Sequence, residues 1–236
     1  MEASARNNIP LIVMDRPNPN AHYVDGPVLD LENQSFVGMH EVPIVYGLTI
    51  GEYATMINNE GWLNNNMKSK LTIIELKNYN RKVTYDLPIL PSPNLPNRKS
   101  INLYPSLCLF EGTNVSAGRG TEMQFQIYGS PYLNKEKNNF RFTPKKNSGS
   151  KYPKHENLLC YGKNLSENKK LDKFDLSFLL NAYSDTNDKQ KFFNNYFDKL
   201  AGTNSLKNQI ISGLSEKKII QSWKKKLDIY KEMRMK

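Results

Sequence analysis

A mixed α/β fold with a helical final third is what this sequence predicts, on three observations. Short apolar or alternating runs of strand length fall in the first two thirds, at 9–14, 71–76, 125–133 and 140–143. Apolar residues near the helical period mark 176–183, 192–197 and 219–233. Hydrophobic residues make up 38% and aromatic residues 11% of the 236, enough for a buried core and against general disorder.

The elements follow in order. Leu11-Ile12-Val13-Met14 is continuously apolar, the pattern of a parallel strand covered on both faces. It runs into Asp15-Arg16-Pro17-Asn18-Pro19-Asn20, a rigid turn at the strand's carboxyl end, where open α/β sheets collect ligands. Thr49 and Glu52 have capping-box spacing ahead of a helix reaching about Glu60, which Gly61 stops. Residues 71–76 predict a core strand and 81–85 a shorter, alternating one. Prolines at 88, 91, 93, 96 and 105 predict a long ordered loop over 87–105, because proline lacks an N–H and fixes φ. Residues 104–110 fit helix or strand. Strands are expected at 125–133 and 140–143 with a turn between them, then a Lys/Gly/Ser-rich surface loop at 144–153 and helices to the end.

Composition also excludes some functions. The net charge of +10 comes from 26 Lys against 7 Arg, in a chain with 29 Asn. Phosphate recognition favours arginine forks, so nucleic-acid binding is not expected. Residues 1–133 carry 10 basic and 12 acidic side chains and 134–236 carry 23 and 11, the excess lysines lying along helical faces as a solvated surface. No run of about 18 apolar residues occurs, so no membrane-spanning helix is expected. The N-terminus lacks the h-region of a signal peptide. Cys108 and Cys160 are expected as free, mostly buried thiols, and Leu107 and Leu109 beside Cys108 argue against a nucleophile. His22, His40 and His155 lack metal-ligand spacing.

The chemistry concentrates in Glu111-Gly112-Thr113-Asn114-Val115-Ser116-Ala117-Gly118-Arg119-Gly120-Thr121. Glycines let backbone approach a ligand, Thr, Asn and Ser supply neutral donors and acceptors, and Arg119 supplies a fork for a carboxylate or phosphate. The spacing is not that of a Walker A loop. The alternative is a tight glycine-rich turn in which Glu111 and Arg119 pair for stability.

Several segments together resemble a known family. VMDRPNPN (13–20), DGPVLD (25–30), SFVGMHEVPIVYGLTIGEYATMINNEGWL (35–63), LPILPSPNLPN (87–97), YPSLCLFEGTNVSAGRGT (104–121), KYPKHENLLCYG (151–162) and LAGTNSLKNQIISG (200–213) are similar to the NamZ-type (YbbC-like) exo-β-N-acetylmuramidases, in a version like that of Bacteroidota. The resemblance implies an exo-acting glycosidase that releases N-acetylmuramic acid from the non-reducing end of peptidoglycan fragments, without metal or organic cofactor. It implies that residues 1–20 are the last strand and turn of a Rossmann-like N-terminal domain and that 21–236 form a smaller α+β domain, with the active site between the two. By motif position Glu111 is the expected catalytic carboxylate. Arg119, Asn114, Thr113, Ser116, Arg16, Asn18, Ser92, Asn94 and His155 are the expected substrate contacts. Tyr46 departs from the family, where histidine is common. The resemblance further implies a truncated or split enzyme, with a separately encoded Rossmann-like half as partner, or a sugar- or partner-binding remnant without turnover. It implies a periplasmic or secreted setting, while the missing signal segment leaves the cytoplasm open.

Overall fold

The computed structural model of the protein describes residues 1–235. Its elements are α1 (Glu2–Arg6), β1 (Leu11–Met14), β2 (Asp25–Val28), β3 (Pro43–Val45), α2 (Ile50–Asn59), β4 (Leu71–Ile74), α3 (Arg98–Leu107), β5 (Ile127–Ser130), β6 (Phe140–Phe142), β7 (Cys160–Asn164), α4 (Ser177–Asp185), α5 (Phe197–Ala201), α6 (Ser205–Ile211) and α7 (Glu216–Met233). Mixed α and β structure with a helical end is thus present. Among the described residues no helix is long and apolar enough to cross a membrane.

The strands form three small sheets. β1 and β4 pair in parallel, from Leu11 opposite Leu71 to Met14 opposite Ile74. β2 and β3 pair antiparallel, and β5-β7-β6 make an antiparallel three-stranded sheet. The main core lies between that sheet, α3, α4 and the C-terminal helices. Leu103, Leu107, Phe110, Tyr128, Leu176 and Ile219 are among its fully buried side chains. Phe110 stacks on Tyr128 at 4.9 Å between ring centroids.

Four expectations need correction. β1 is not covered on both faces: Leu11 and Val13 are half-buried beside α2, whereas Ile12 and Met14 are 64% and 76% exposed. β4 alternates in the same way, with Ile74 54% exposed, so the sheet has one open apolar face. Residues 81–85 form no strand; Val83 N donates to Asn80 O in a turn, and Arg81 reaches back to Glu52. The proline-rich stretch does hold a helix, α3, whose N-terminus Asn97 caps by accepting from Ser100 N. Pro105 sits in its last turn, where the missing N–H would leave the Ile101 carbonyl unpaired. Asn20 Nδ2 donates to that carbonyl at 2.8 Å, so the Asp15–Asn20 turn repairs the helix. Finally, the predicted helix over 192–197 begins only at Phe197. Asn194 explains this: its N–H bonds Gly112 O, and its side chain bonds Glu111 O and accepts from Tyr196 N.

The capping box at Thr49 is present in both directions, and Asp15 adds to it by accepting from Thr49 Oγ1 (2.7 Å) and Gly51 N (2.8 Å). α2 is thereby fixed to the carboxyl end of β1 by residues that a sequence reading places only as separate motifs.

Candidate functional site

The loop at 111–121 starts where α3 passes into a 3-10 turn over Cys108–Gly112. Gly112 is required there: a Cβ on it would lie 2.5 Å from Phe197 Cα, a backbone atom at the start of α5. Ser116 then joins the free edge of β5 as an isolated bridge, exchanging hydrogen bonds with Gly129 at 2.8 and 2.9 Å. Asn114 N donates to Phe192 O at 2.8 Å, and Phe125 N to Ala117 O at 2.8 Å. Gly120, at φ +81°, packs so closely on Pro153 that a Cβ would meet its ring at 2.5 Å.

Within this frame the side chains divide into two groups. Thr113 and Ser116 are buried and serve the loop itself: Thr113 Oγ1 donates to Phe110 O and accepts from Val115 N, and Ser116 Oγ accepts from Gly118 N. Glu111 and Arg119 face outward, and Arg119 Nη1 donates to Glu111 Oε2 at 3.0 Å, both side chains about one-third exposed. A paired carboxylate and guanidinium at a partly exposed position can exchange partners with an incoming hydroxyl or carboxylate. Asn194 and Tyr196, just ahead of α5, join the site through the Asn194 bond to Glu111 O. Tyr104, on α3, is part-exposed, and burial of its ring against Phe125 with the nearby Glu111 charge pushes its hydroxyl up to about 12. The amide of Asn114 is enclosed with neither end hydrogen-bonded, an uncommon condition for a buried polar group.

The loop carbonyls converge on two successive side chains. Lys154 Nζ donates to Phe110 O (2.8 Å), Val115 O (3.0 Å) and Thr113 O. His155 Nε2 lies 2.6 Å from Asn114 O and 3.3 Å from Ser130 Oγ. His155 holds a left-handed backbone at φ +60°, a strained conformation for a non-glycine residue. Burial lowers the Lys154 pKa to about 8, with Arg119 acting in the same direction and Glu111 against it. Burial likewise lowers that of His155, opposed by its bond to Asn114 and aided by the neighbouring Lys154 charge. Cys108 is pushed up to about 12 by burial, in keeping with an inert thiol.

The other expected contacts lie apart. Ser92 Oγ accepts from Asn94 N, and Asn94 Nδ2 donates to Gly149 O, so that turn braces the 145–153 loop behind Gly120. Asn18 Nδ2 donates to Leu48 O and its Oδ1 accepts from Asn20 N, while Arg16 N bonds Asp15. Among the described residues no hydrogen bond or ion pair joins Arg16 or Asn18 to the 111–121 loop. They adjoin a second polar feature, a cleft of about 550 Å³ at the carboxyl ends of β1 and β4, lined by Asp15, Glu52, Glu75, Tyr79, Arg81 and Arg234 among others. Glu52 has two roles there, capping α2 and pairing with Arg81. Sequence reading missed Lys154, Tyr104 and Tyr196. Lys154 is one of 26 lysines, and only its place in Lys-Tyr-Pro-Lys-His beside His155 sets it apart.

Comparison with known proteins gives the family. Residues 1–99 match the description "Exo-beta-N-acetylmuramidase NamZ, N-terminal" and residues 102–236 match "Exo-beta-N-acetylmuramidase NamZ, C-terminal". The chain belongs to the NamZ family. It is 36% identical, over its whole length, to the peptidoglycan beta-N-acetylmuramidase NamZ of Bacillus subtilis (strain 168), and spans 61% of that protein. A crystal structure of a DUF1343 family protein from Bacteroides fragilis is 44% identical with a TM-score of 0.94, all of this chain matching 67% of that one. A second such protein from the same organism, 24% identical with a TM-score of 0.82, has the same fold over the same shares.

Proposed function

We propose that this chain takes part in exo-β-N-acetylmuramidase chemistry, releasing N-acetylmuramic acid from the non-reducing end of peptidoglycan fragments in cell-wall recycling. The observation that carries the reading is the Glu111–Arg119 pair, outward-facing on a loop whose backbone is held at almost every residue. Arg119 reads the lactyl carboxylate that distinguishes muramic acid from N-acetylglucosamine, exchanging Glu111 for it. Glu111, once released, acts on the sugar directly or holds its hydroxyls. Asn114 and His155 line the same loop, and Ser92 and Asn94 brace it from behind.

Glycoside hydrolysis ordinarily uses two carboxyl groups flanking the bond. The second belongs, on this reading, to polypeptide that packs against the open face of β1 and β4. Exposed Ile12, Met14 and Ile74 favour such a cover, of the Rossmann-like kind. Arg16 and Asn18, at the end of β1, lie beside the second cleft and contact the sugar from there. The test is release of N-acetylmuramic acid from a chromogenic muramic acid glycoside, by the chain alone and with such a cover added. Turnover that falls at least about 100-fold in Glu111→Gln, the scale of losing a catalytic acid or base, supports the reading. Near-normal kcat/KM in that variant defeats it. Sugar binding without turnover under both conditions favours a binding remnant.

A further inference from the structure

Lys154 stands out because its three N–H donors meet three carbonyls, those of Phe110, Thr113 and Val115. These bracket Glu111 in the chain, and Asn114 O, the one between the last two, goes to His155. The dipeptide therefore gathers four carbonyls from one six-residue stretch. A buried ammonium ion is retained at a cost unless hydrogen bonds offset it, and here the acceptors are the loop's own backbone. No carboxylate forms an ion pair with Lys154 among the described residues. We propose that Lys154 is a positioning residue for the Glu111–Arg119 pair: its ammonium charge clasps the backbone that carries the pair, and loss of its proton loosens the loop. The functional consequence rests on the muramic acid reading of that pair; the clasp itself does not.

The chemistry follows from donor counting. A protonated lysine offers three donors to three acceptors, whereas a neutral amine offers two and turns a lone pair toward the third carbonyl. The charged groups facing Lys154 are Glu111 on the 3-10 turn, Arg119 on the loop and His155 beside it, which itself meets Ser130 on β5. Arg119 and the burial work against the proton and Glu111 for it, so the change falls in a mildly alkaline range, near 8. The linkage sign is opposite for the whole fold. With the folded pKa below the unfolded value, the unfolded chain binds more protons between the two, so global stability rises with pH there. Opening the loop with Lys154 still buried removes the carbonyls that favour the ammonium, so the opened loop holds the proton less tightly than the closed one and opening grows easier as pH rises, whereas unfolding, which exposes the lysine, does not.

The experiment is hydrogen–deuterium exchange of the segment 110–121 in the intact chain from pH 6.5 to 9.5, corrected for intrinsic rates, with Tm measured beside it. Protection of the Asn114 and Ser116 amides should fall about tenfold or more across a midpoint near 8, the scale of one lost hydrogen bond to a charged group, while Tm holds or rises. Lys154→Arg, which keeps its charge, should show no midpoint in this range, and Lys154→Met should be weakly protected throughout. Flat protection in the native protein, or the same midpoint in Lys154→Arg, overturns the proposal even if Lys154→Met fails to fold. In turnover, the clasp predicts an alkaline fall in kcat/KM that Lys154→Arg moves upward. Absence of all turnover would tell against the muramidase reading and leave the exchange result standing.

Discussion

The loop at 111–121 and the sheet of β1 and β4 treat their exposed groups in opposite ways. In the loop, backbone donors and acceptors find partners within the same body: Gly129, Phe192, Phe125, Lys154 and His155 take them up one after another. In the sheet, the strands pair in register from Leu11 to Met14, but the apolar side chains at Ile12, Met14 and Ile74 face outward. The first region is held by its own chain, and the second leaves apolar side chains exposed. That contrast separates a loop fixed by its own protein from an apolar face that its own protein does not cover.

Substitutions can break or sharpen the contrast. The largest effect is expected in the body that supports the loop: Phe110→Ala, which empties the stack on Tyr128, should cost about 3–5 kcal/mol in a denaturation experiment. Gly112→Ala should come next, at about 1–3 kcal/mol, because the new methyl group meets the backbone of Phe197, which cannot turn aside. Lowering the pH should act more gently. Burial holds the folded pKa of His155 below its unfolded value, so the stability it contributes is present above the ordinary histidine range and is lost as pH falls through it. Thermal melts from pH 8 down to 5 should show this decline, and His155→Gln should reduce it. At the small end, Ile12→Ser should change the stability of the isolated chain by no more than about 0.5 kcal/mol, as for an ordinary surface site. A large loss there would mean the sheet face is already covered.

The degree to which the sequence announced these features differs by region, and the reasons are physical. α2 was legible because Thr49 and Glu52 form a local capping signal, and α7 because its apolar stripe runs for eighteen residues. The open face of β1 was not, since continuous Leu-Ile-Val-Met reads alike whether one face or both are covered. α3 was hidden by Pro105, whose cost is met by Asn20, a residue 85 positions earlier that no local pattern connects to it. At the site, the Glu111–Arg119 pairing was legible as one of two alternatives, and the two are compatible in the structure. The inward use of Thr113 and Ser116 was not legible, because residue type alone does not say whether a hydroxyl serves a ligand or its own loop. Lys154 was missed because its importance comes from convergence of distant carbonyls, which appears only once the loop is folded against 153–155.

The most direct test of the central claim is calorimetric titration of the chain with N-acetylmuramic acid and with N-acetylglucosamine, for the native protein and Arg119→Lys. If the Glu111–Arg119 pair reads the lactyl carboxylate, the native protein should bind N-acetylmuramic acid about tenfold or more tightly than N-acetylglucosamine, the worth of one charge-assisted bidentate contact, and Arg119→Lys should erase most of that preference. Equal affinity for the two sugars, binding of neither, or a preference that survives in Arg119→Lys would contradict it.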